Sequence, residues 1–451
     1  MDIIQELDRE QILEAIRTGK IDQITRELQS THPADIADLL DDLPNREALM
    51  IFGRLPVIVA SEVLDETGSL MRRELISEVP DERLADILDE LPVDDAVEIL
   101  EDLPEEISSQ IIELMEPEEA QEVRDNLTYD KDSAGRLMNT EVATLRLNMT
   151  AKEARHHLRM LEEVGNVDHF FVVDGQNHLI GVVHAIDLLM EQAPEPIEKI
   201  MTPGAITAHV NADQEQLAQI MAKYDVGDLA IVDDDNHLLG VVTVDDIIDV
   251  LEEEATEDIL RLGGSLPLDQ PYSSASILTV FQKRIGWLLL LFFGGMMTGS
   301  VTHKFELVWG QFLILATFVP LVIGTGGNSG SQTIATVIRA ITTGEVRFRD
   351  ILSTWRREVS IGTLLGSVMA ILGMVLGVLI WDVSWQVAIA VGLTLLVVVI
   401  WATTIGTLVP LIADRMGIDP TVVSGPMLST LVDVSGLIIY YSLAGYILGV
   451  F

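Results

Sequence analysis

Long apolar stretches occupy the later part of this chain, whereas the earlier part alternates short apolar and acidic segments. An α-helix needs about 20 predominantly apolar residues to cross the hydrocarbon core of a bilayer. The weakly charged stretches that reach this length span roughly residues 284–303, 309–342, 354–381, 385–412 and 420–449. The pattern predicts five membrane-spanning helices, and we place a pore domain at residues 283–451.

Basic residues cluster in three of the segments that flank these stretches. They are Lys283 and Arg284 before the first, Arg339, Arg347, Arg349, Arg356 and Arg357 between the second and third, and Arg415 between the fourth and fifth. Loops rich in Lys and Arg face the cytosol, and the N-terminal segment lacks the basic and apolar regions of a signal peptide. We therefore expect a multi-pass protein of the plasma (inner) membrane with residues 1–270 in the cytosol.

A proline recurs with a period of 12 in the acidic part of the chain. The positions are Pro44, Pro56, Pro80, Pro92 and Pro104, with Gly68 in the vacant place. Segments such as residues 84–92 repeat apolar residues at i, i+3 and i+4, the spacing of a one-sided helix. Such a segment is too short to be stable alone. The repeat predicts a superhelical stack of short helices over residues 1–130.

A second repeat aligns residues 170–189 with residues 229–248 at an offset of 59. Each copy has the pattern of a strand, a polar turn, a strand and a helix. His178 and His237 recur with the repeat, and we interpret them as structural residues rather than metal ligands. The repeat predicts a tandem α/β module over residues 131–250.

The formal charge of -43 is carried almost entirely by the cytosolic part. Residues 1–270 contain 63 acidic and 19 basic residues, against 8 and 9 in residues 271–451. No nucleic-acid partner is expected, because the phosphate backbone has the same sign of charge. Without cysteine, thiolate metal chemistry is excluded. The acidic part also shows no nucleophile–base pair, no histidine metal cluster and no phosphate-binding loop, so an enzyme is not expected.

Asp433 lies inside the last apolar stretch, which contains no Lys or Arg to pair with it. An ionisable side chain at the centre of a bilayer costs about 2.5 to 3.5 kcal/mol even on lenient insertion scales. Two interpretations follow: a cation pathway, which we favour, or a buried carboxylate held by Ser and Thr hydroxyls.

The second stretch has a composition that is unusual for a lipid-facing helix, because Pro320 is followed by the polar and glycine-rich residues 324–332. The amide of Asn328 is an oxygen donor suited to a hydrated cation, although the glycines also permit simple close packing. Asp419 and Glu358 add acidity at the cytosolic mouth. Glu358 could instead pair with a neighbouring arginine.

The α/β repeat resembles a cystathionine-β-synthase-type (CBS) domain pair, a fold whose members often bind adenine nucleotides. Residues 240–246 of the second copy fit the family's ribose motif, with Thr243 and Asp246 as the hydroxyl and the carboxylate. The first copy keeps Asp187 but has His184 in place of the threonine. The resemblance implies possible ATP binding through Asp187, Thr243 and Asp246.

Residues 326–332, residues 419–426 and Asp433 together resemble the membrane signatures of the MgtE family of magnesium transporters. That resemblance implies an all-α superhelical N domain, an α/β CBS pair, a connecting (plug) helix at residues 251–282 and a five-helix α transmembrane domain. It also implies a homodimer in the lipid bilayer, with Asp433 binding hydrated Mg²⁺ and Asn328 and Asp419 lining the approach.

By the same resemblance, cytosolic Mg²⁺ would bridge carboxylates and hold the channel closed at high internal concentration. The residues implied are Asp94, Glu98, Gly135, Asp225, Asp246, Asp249, Glu254, Glu257 and Asp258. Such control is ordinary linkage, because an ion stabilises whichever state binds more of it.

Three alternatives compete with a regulated magnesium transporter. A CBS-regulated anion transporter would need basic groups in the pore, a membrane-anchored enzyme would need catalytic groups, and an adaptor would carry no ions. The residues leave open whether conduction is by a channel or a carrier, and whether Mn²⁺, Co²⁺ or Ni²⁺ also pass.

Overall fold

The computed structural model describes residues 9–18, 20–101, 103–160, 169–191, 194–268, 272–273, 275–309, 313–423 and 425–449. The chain divides into two compact units, Met1–Glu254 and Ala255–Phe451. Each is described by itself below.

The first part of unit 1 is a stack of short helices over one apolar core. Within its described residues these are Arg9–Arg17 (α1), Ile21–Leu28 (α2), Pro33–Asp42 (α3), Asn45–Phe52 (α4), Val57–Glu66 (α5), Ser69–Glu78 (α6), Asp81–Leu88 (α7), Val93–Glu101 (α8), Glu105–Leu114 (α9) and Pro117–Asn126 (α10). Every residue of the period-12 series immediately precedes a helix, as Pro56 precedes α5 and Gly68 precedes α6. Proline ends the preceding segment because it has no backbone N–H and a fixed φ. The predicted helical N domain is confirmed.

Two α/β copies follow in the same unit, and only their last helix, α16, continues past Glu254 into unit 2. Their elements are Ala134–Leu137 (α11), Thr144–Arg146 (β1), Ala151–Leu158 (α12), His169–Val173 (β2), Leu179–His184 (β3), Ala185–Met190 (α13), Ile197–Ile200 (α14), Thr202–Pro203 (β4), Thr207–His209 (β5), Gln214–Tyr224 (α15), Asp228–Val232 (β6), Leu238–Thr243 (β7) and Val244–Leu262 (α16). The sheets have the orders β1-β2-β3-β4 and β5-β6-β7, and each pairs a parallel with an antiparallel neighbour. The predicted tandem α/β repeat is confirmed.

The two polar turns of the repeat join the copies to each other. Asn177 and Asn236 adopt left-handed φ values of 69° and 66°. Each side-chain amide donates to a backbone carbonyl in the other copy, at 2.9 and 2.8 Å. The rings of His178 and His237 stack with centroids 4.5 Å apart, and each ring nitrogen Nδ1 contacts an aspartate of its own turn at 2.9 and 2.8 Å. These histidines therefore make structural contacts at the junction of the copies.

Unit 2 is built from long helices. They are Ile277–Trp309 (α17), Val319–Thr342 (α18), Ile351–Trp381 (α19), Trp385–Arg415 (α20) and Gly425–Leu448 (α21). Among the described residues, four candidate spans, all except α18, are long and apolar enough to cross a membrane. The polar and glycine-rich residues of α18 lower its hydropathy, as its composition implied. Helix α20 is the most buried of the candidate spans and packs against α18, α19 and α21.

Two helices of unit 2 begin later than the sequence pattern suggested. Helix α18 begins at Val319 with Pro320 in its first turn, after a short 3₁₀ turn at Leu313–Phe318. Helix α21 begins at Gly425 with Pro426 next to it, after a 3₁₀ turn at Pro420–Val422. Proline suits the first turn because its missing N–H would be unpaired there in any case. Both prolines therefore lie in the first turn of a helix. Neither lies in a helix interior, where it would leave a carbonyl group without its partner.

Candidate ion pathway and cytosolic carboxylate cluster

Asp433 lies in the third turn of α21 and faces the glycine-rich segment of α18. A Cβ atom placed on Gly327 would lie 3.6 Å from Asp433 Oδ1 and 3.5 Å from the Ser429 hydroxyl. Within the described part of the chain, Asp433 Oδ1 is buried without a hydrogen-bond partner. This oxygen is therefore not held by Ser or Thr hydroxyls, as the alternative interpretation of Asp433 requires. An unpaired buried acceptor fits an oxygen-seeking cation.

The glycines of α18 have two distinct surroundings. A Cβ atom on Gly326 would lie 2.7 Å from Val398, and one on Gly330 would lie 3.2 Å from Leu428. These two positions, four residues apart, allow close approach of α20 and α21. Asn328 is on another face of the helix and is exposed. The glycines therefore serve close packing of α18 against α20 and α21, and the lining role of Asn328 stays a prediction.

A cavity of about 300 Å³ lies at the N-terminal end of α21. It is lined by Leu262, Ser331, Ile334, Ala335, Gly425, Pro426 and Ser429. The hydroxyls of Ser331 and Ser429 are 3.1 Å apart across the contact of α18 with α21. The cavity lies at the same end of α21 as Arg415. The positive-inside rule assigns Arg415 to the cytosolic side of the membrane.

The two acids predicted at the cytosolic mouth are already engaged. Glu358 is half-buried, hydrogen-bonds the Thr333 side chain and interacts electrostatically with Arg357. Asp419 accepts from the Thr421 N–H at 2.8 Å and from the Thr421 hydroxyl at 2.6 Å. It also forms an ion pair with Arg261. Both carboxylates therefore already have hydrogen-bonding and charged partners within the protein.

In unit 1, a carboxylate cluster forms between α8 and the start of α16. Oxygen atoms of Asp94, Asp95 and Asp246 lie within 4.8 Å of one another. Asp94 Oδ1 is buried and, among the described residues, has no hydrogen-bond partner. Asp246 accepts from the Thr243 N–H at 3.0 Å and from its hydroxyl at 2.7 Å. We call Asp94, Asp95 and Asp246 the carboxylate cluster.

Burial and mutual repulsion raise the pKa values of the cluster. Burial, followed by the charges of Asp94 and Asp65, raises the pKa of Asp95 to about 9. Burial raises the pKa of Asp246 to about 6, although the Thr243 hydrogen bonds act in the opposite direction. Burial and then the charge of Asp246 raise the pKa of Asp94 well above its ordinary value. Carboxylates so close must share protons or a cation, because like charges disfavour ionisation.

The chemistry of this donor set suits a hard divalent cation. All the available atoms are carboxylate oxygens, which Mg²⁺ and Ca²⁺ prefer. A divalent ion would remove the repulsion and also satisfy the orphaned oxygen of Asp94. The sequence analysis predicted Asp94 and Asp246 but missed Asp95, which follows Asp94 in the first turn of α8. It also missed Asp65, whose pKa burial raises to about 6.

The remaining predicted sensor residues do not all join the cluster. Glu98 forms an ion pair with Arg72 at 2.6 Å. Gly135 is buried, and a Cβ atom there would lie 2.5 Å from the Tyr129 ring. Asp225 is exposed, with a left-handed φ of 54° at the end of α15.

The sensor residues predicted on α16 lie along its length. The side chain of Asp249 is exposed, but partial loss of hydration, followed by the charge of Glu98, raises the pKa of its carboxyl group. Glu254 accepts from the Gln214 amide at 2.8 Å. Glu257 pairs with Arg261, and Asp258 is half-buried.

Part of the predicted nucleotide motif makes hydrogen bonds within the protein. The hydroxyl of Thr243 donates to Asp246, so this carboxylate serves both the motif and the carboxylate cluster. In the first copy, His184 and Asp187 are both exposed. The sequence analysis names Asp246 for both roles, and the structure places its carboxylate beside Thr243 and beside Asp94 and Asp95.

The helical stack, the CBS-like pair and the apolar helices with a buried, unpaired acid define a membrane-embedded divalent-cation transporter with a cytosolic regulatory part. Family comparisons agree: the divalent cation transporter model named MgtE matches residues 319–443, the MgtE intracellular N domain matches 31–132, and CBS domains match 134–193 and 197–253. The chain belongs to the MgtE family of magnesium transporters.

Individual relatives cover nearly the whole chain. The magnesium transporter MgtE of Thermus thermophilus is 35% identical over 439 residues, which cover 96% of this chain and 97% of that protein. MgtE of Bacillus subtilis is 29% identical, with 96% of each chain covered. A solved cytosolic domain of the Mg²⁺ channel MgtE in complex with ATP is 31% identical and has a TM-score of 0.51. The match covers 54% of this chain and 100% of the solved domain. This chain is thus a Mg²⁺ transporter and not an enzyme, and an anion transporter is not favoured.

Proposed function

We propose that this protein conducts hydrated Mg²⁺ into the cytosol past Asp433 and is closed when cytosolic Mg²⁺ binds the carboxylate cluster. The observation that carries the pore is the buried Asp433 Oδ1, which has no partner among the described residues. Mg²⁺ is small, sheds water reluctantly and usually binds through one or two carboxylates while keeping several waters. A single acid per chain suits such an ion.

A homodimer would complete this pore. Two copies of Asp433 at a shared axis would supply two carboxylates to one hydrated ion without stripping its water. The exposed Asn328 amide would offer a neutral oxygen on the approach, with Asp419 and Glu358 adding negative charge at the cytosolic mouth. The other divalent ions, Mn²⁺, Co²⁺ and Ni²⁺, would meet the same oxygen donors, so competition assays should include them.

The carboxylate cluster would act as the sensor because it joins two parts of unit 1. Asp94 and Asp95 belong to the helical stack, whereas Asp246 begins α16. A bound Mg²⁺ would hold these elements together, and its loss would let the repelling charges separate. Gly135, Asp225, Asp249, Glu98, Glu254 and Asp258 would form further, weaker sites around this one.

The domain division follows from this scheme. Residues 1–130 and 131–250 would carry the sensor, residues 251–282 would transmit its state, and residues 283–451 would form the pore. The solved relative in complex with ATP supports nucleotide binding by this part of the chain, and the sequence motif assigns Asp187, Thr243 and Asp246 to it. Because Asp246 also belongs to the carboxylate cluster, nucleotide and ion would influence each other's binding.

The test of the proposed function is Mg²⁺ flux into liposomes that contain the purified full-length protein, with Mg²⁺ on the cytosolic face varied. Asp433→Asn should reduce flux at least tenfold, and Asp95→Asn should leave flux but raise the Mg²⁺ concentration needed for closure. Asp382→Asn is the matched control, because Asp382 is an exposed aspartate at the C-terminal end of α19. Flux that is indifferent to Asp433 would discard this pore, and absence of any Mg²⁺ flux would discard the function.

A further inference from the structure

Arg261, in the last turn of α16, bridges two carboxylates that come from different elements. Its Nη2 atom contacts Glu257, one turn earlier on the same helix. Its Nη1 atom contacts Asp419, at the start of the turn that leads into α21. The side chains of Arg261, Glu257 and Asp419 are 33%, 28% and 36% exposed, so solvent only partly screens the pairs. The bridge ties the end of α16 to the beginning of α21.

The Asp419 carboxylate is fixed in place by its own turn. Thr421, which is fully buried, donates its N–H at 2.8 Å and its hydroxyl at 2.6 Å to this carboxylate. With Arg261 added, the carboxylate accepts from three donor groups. Its geometry is thus set before any ion arrives, and Arg261 occupies the position that a cation would take.

The residue after Arg261 shows what the bridge positions. Leu262 packs against the core of the membrane helices and lines the cavity of about 300 Å³, together with Ser331, Pro426 and Ser429. Its carbonyl oxygen would lie 3.7 Å from a Cβ atom on Gly425. With the bridge formed, Leu262 therefore covers the end of the groove between α18 and α21.

We propose that Arg261 is a positioning residue that latches α16 over the cytosolic end of the pathway in the closed state. Without a cation, Glu257 and Asp419 would repel each other and push the end of α16 away. The guanidinium supplies a tethered positive charge that favours the closed arrangement, so less cytosolic Mg²⁺ is needed to complete closure. The inference rests on the proposed gating by cytosolic Mg²⁺.

The first test compares Arg261→Gln with Arg415→Gln in the liposome flux assay. Arg415 is an exposed arginine at the same end of the membrane helices, and it stacks on Phe348. Its substitution by glutamine removes the same charge as Arg261→Gln. Arg261→Gln should raise the half-inhibitory Mg²⁺ concentration by about two- to fivefold, the effect of losing partly exposed ion pairs. Arg415→Gln should leave this concentration unchanged. Flux is normalised to its value at low Mg²⁺ in each variant.

A double-mutant cycle separates a latch from an unspecific loss of charge. Arg261→Gln combined with Asp419→Asn should shift the half-inhibitory concentration no further than the larger single change, because both remove one interaction. The exchanged pair, Arg261→Glu with Asp419→Arg, should return the concentration toward that of the unaltered protein. Additive shifts, or no recovery in the exchanged pair, would overturn the latch.

A cross-link reports the docked position directly. Because the chain has no cysteine, Leu262→Cys with Gly425→Cys introduces the only two thiols. A Cβ atom on Gly425 would lie 3.7 Å from the Leu262 carbonyl oxygen, so the two thiols would be neighbours. An added mild oxidant would join them in a disulfide that peptide mass mapping under non-reducing conditions detects. Adding Arg261→Gln should slow formation about two- to fivefold at low Mg²⁺, with Arg415→Gln as control. Equal rates in both backgrounds would refute the latch.

The outcomes distinguish the inference from the proposed function. If the unaltered protein conducts and is closed by Mg²⁺ but Arg261→Gln behaves identically, the latch is wrong and the function stands. If the unaltered protein shows no Mg²⁺-dependent closure, the gating proposal fails independently of Arg261.

Discussion

At the scale of single residues, the carboxylate cluster that we propose as the ion sensor shows how burial changes the chemistry of a common side chain. An aspartate in water is ionised at neutral pH, but burial, followed by the charges of Asp94, Asp65 and Asp246, raises the pKa of Asp95 to about 9. The folded protein therefore holds protons in the cluster that the unfolded chain would release. Mg²⁺ offers the same relief of repulsion with two positive charges in one small ion.

The raised pKa values predict how stability depends on pH when divalent ions are absent. Between an ordinary aspartate pKa near 4 and the folded value of about 9 for Asp95, the folded state binds more protons than the unfolded state. Stability must then fall as pH rises through this window. Hydrogen exchange of the full-length protein should show α8 losing protection from pH 6 to pH 9 in a chelating buffer.

The control for that measurement is Asp95→Asn, which removes the proton without removing the hydrogen-bonding side chain. It should flatten the pH dependence of exchange in α8, whereas Asp234→Asn, at an exposed turn, should not. A profile for Asp95→Asn as steep as that of the unaltered protein would contradict the assignment of the shift to this residue.

Sequence reasoning found some members of the candidate site and missed others for a physical reason. Asp433 could be predicted because an acid in an apolar stretch is conspicuous along one dimension. Asp95 and Asp65 could not, because their significance arises only when α5, α8 and α16 meet. Arg261 has an ordinary i,i+4 partner in Glu257, and nothing in the sequence indicates its second partner, Asp419, 158 residues away.

At the scale of helices, one face of α19 is made of small residues. Gly362, Gly366, Ala370, Gly373 and Gly377 are its buried positions, spaced three or four residues apart. A Cβ atom on Gly366 would lie 3.0 Å from the Leu396 carbonyl oxygen of α20. Small residues allow helix backbones to approach closely within a membrane, where packing contributes much of the association energy.

Gly366→Val should therefore destabilise the membrane unit. The added side chain meets backbone atoms of α20, which cannot rotate away, and overpacking of this kind costs about 1 to 3 kcal/mol. The expected result is a lower midpoint of thermal unfolding in detergent. Gly299→Val in α17 is the control, because a Cβ atom there has no described neighbour within 4 Å. Equal midpoints for the two variants would show that the α19–α20 contact is looser than described.

Element boundaries were predictable where proline or glycine marks them, and less so elsewhere. The period-12 series located the beginnings of helices in the N domain because a proline limits the backbone on both sides. The start of α21 was displaced, since Asp419 caps a separate turn before Gly425 through its hydrogen bonds to Thr421. Such a side-chain cap depends on local geometry that an apolar pattern does not contain.

At the scale of the whole molecule, the formal charge of -43 sets the conditions under which the protein works. Acidic residues are concentrated in the part that we assign to the cytosol, where they raise the local concentration of cations and lower that of anions. In the proposed function, the carboxylate cluster holds either protons or Mg²⁺. The two must compete, because both bind to the same oxygen atoms.

This competition predicts that closure by cytosolic Mg²⁺ becomes more sensitive as the cytosolic pH rises. At pH 6 the cluster retains protons, since the pKa values of Asp95 and Asp246 are raised to about 9 and about 6. Each proton that Mg²⁺ must displace changes the half-inhibitory concentration by up to about tenfold per pH unit. From pH 6 to pH 8 that concentration should fall, while flux at low Mg²⁺ reports the pore separately.

The variant Asp95→Asn should weaken this pH dependence, because burial and the charges of Asp94 and Asp65 raise the pKa of Asp95 to about 9. Asp382→Asn should preserve it. A half-inhibitory concentration that stays constant with pH in the unaltered protein would mean that Mg²⁺ does not displace protons when it closes the pathway. The sensor would then have to lie among other acids of α16 rather than in the carboxylate cluster.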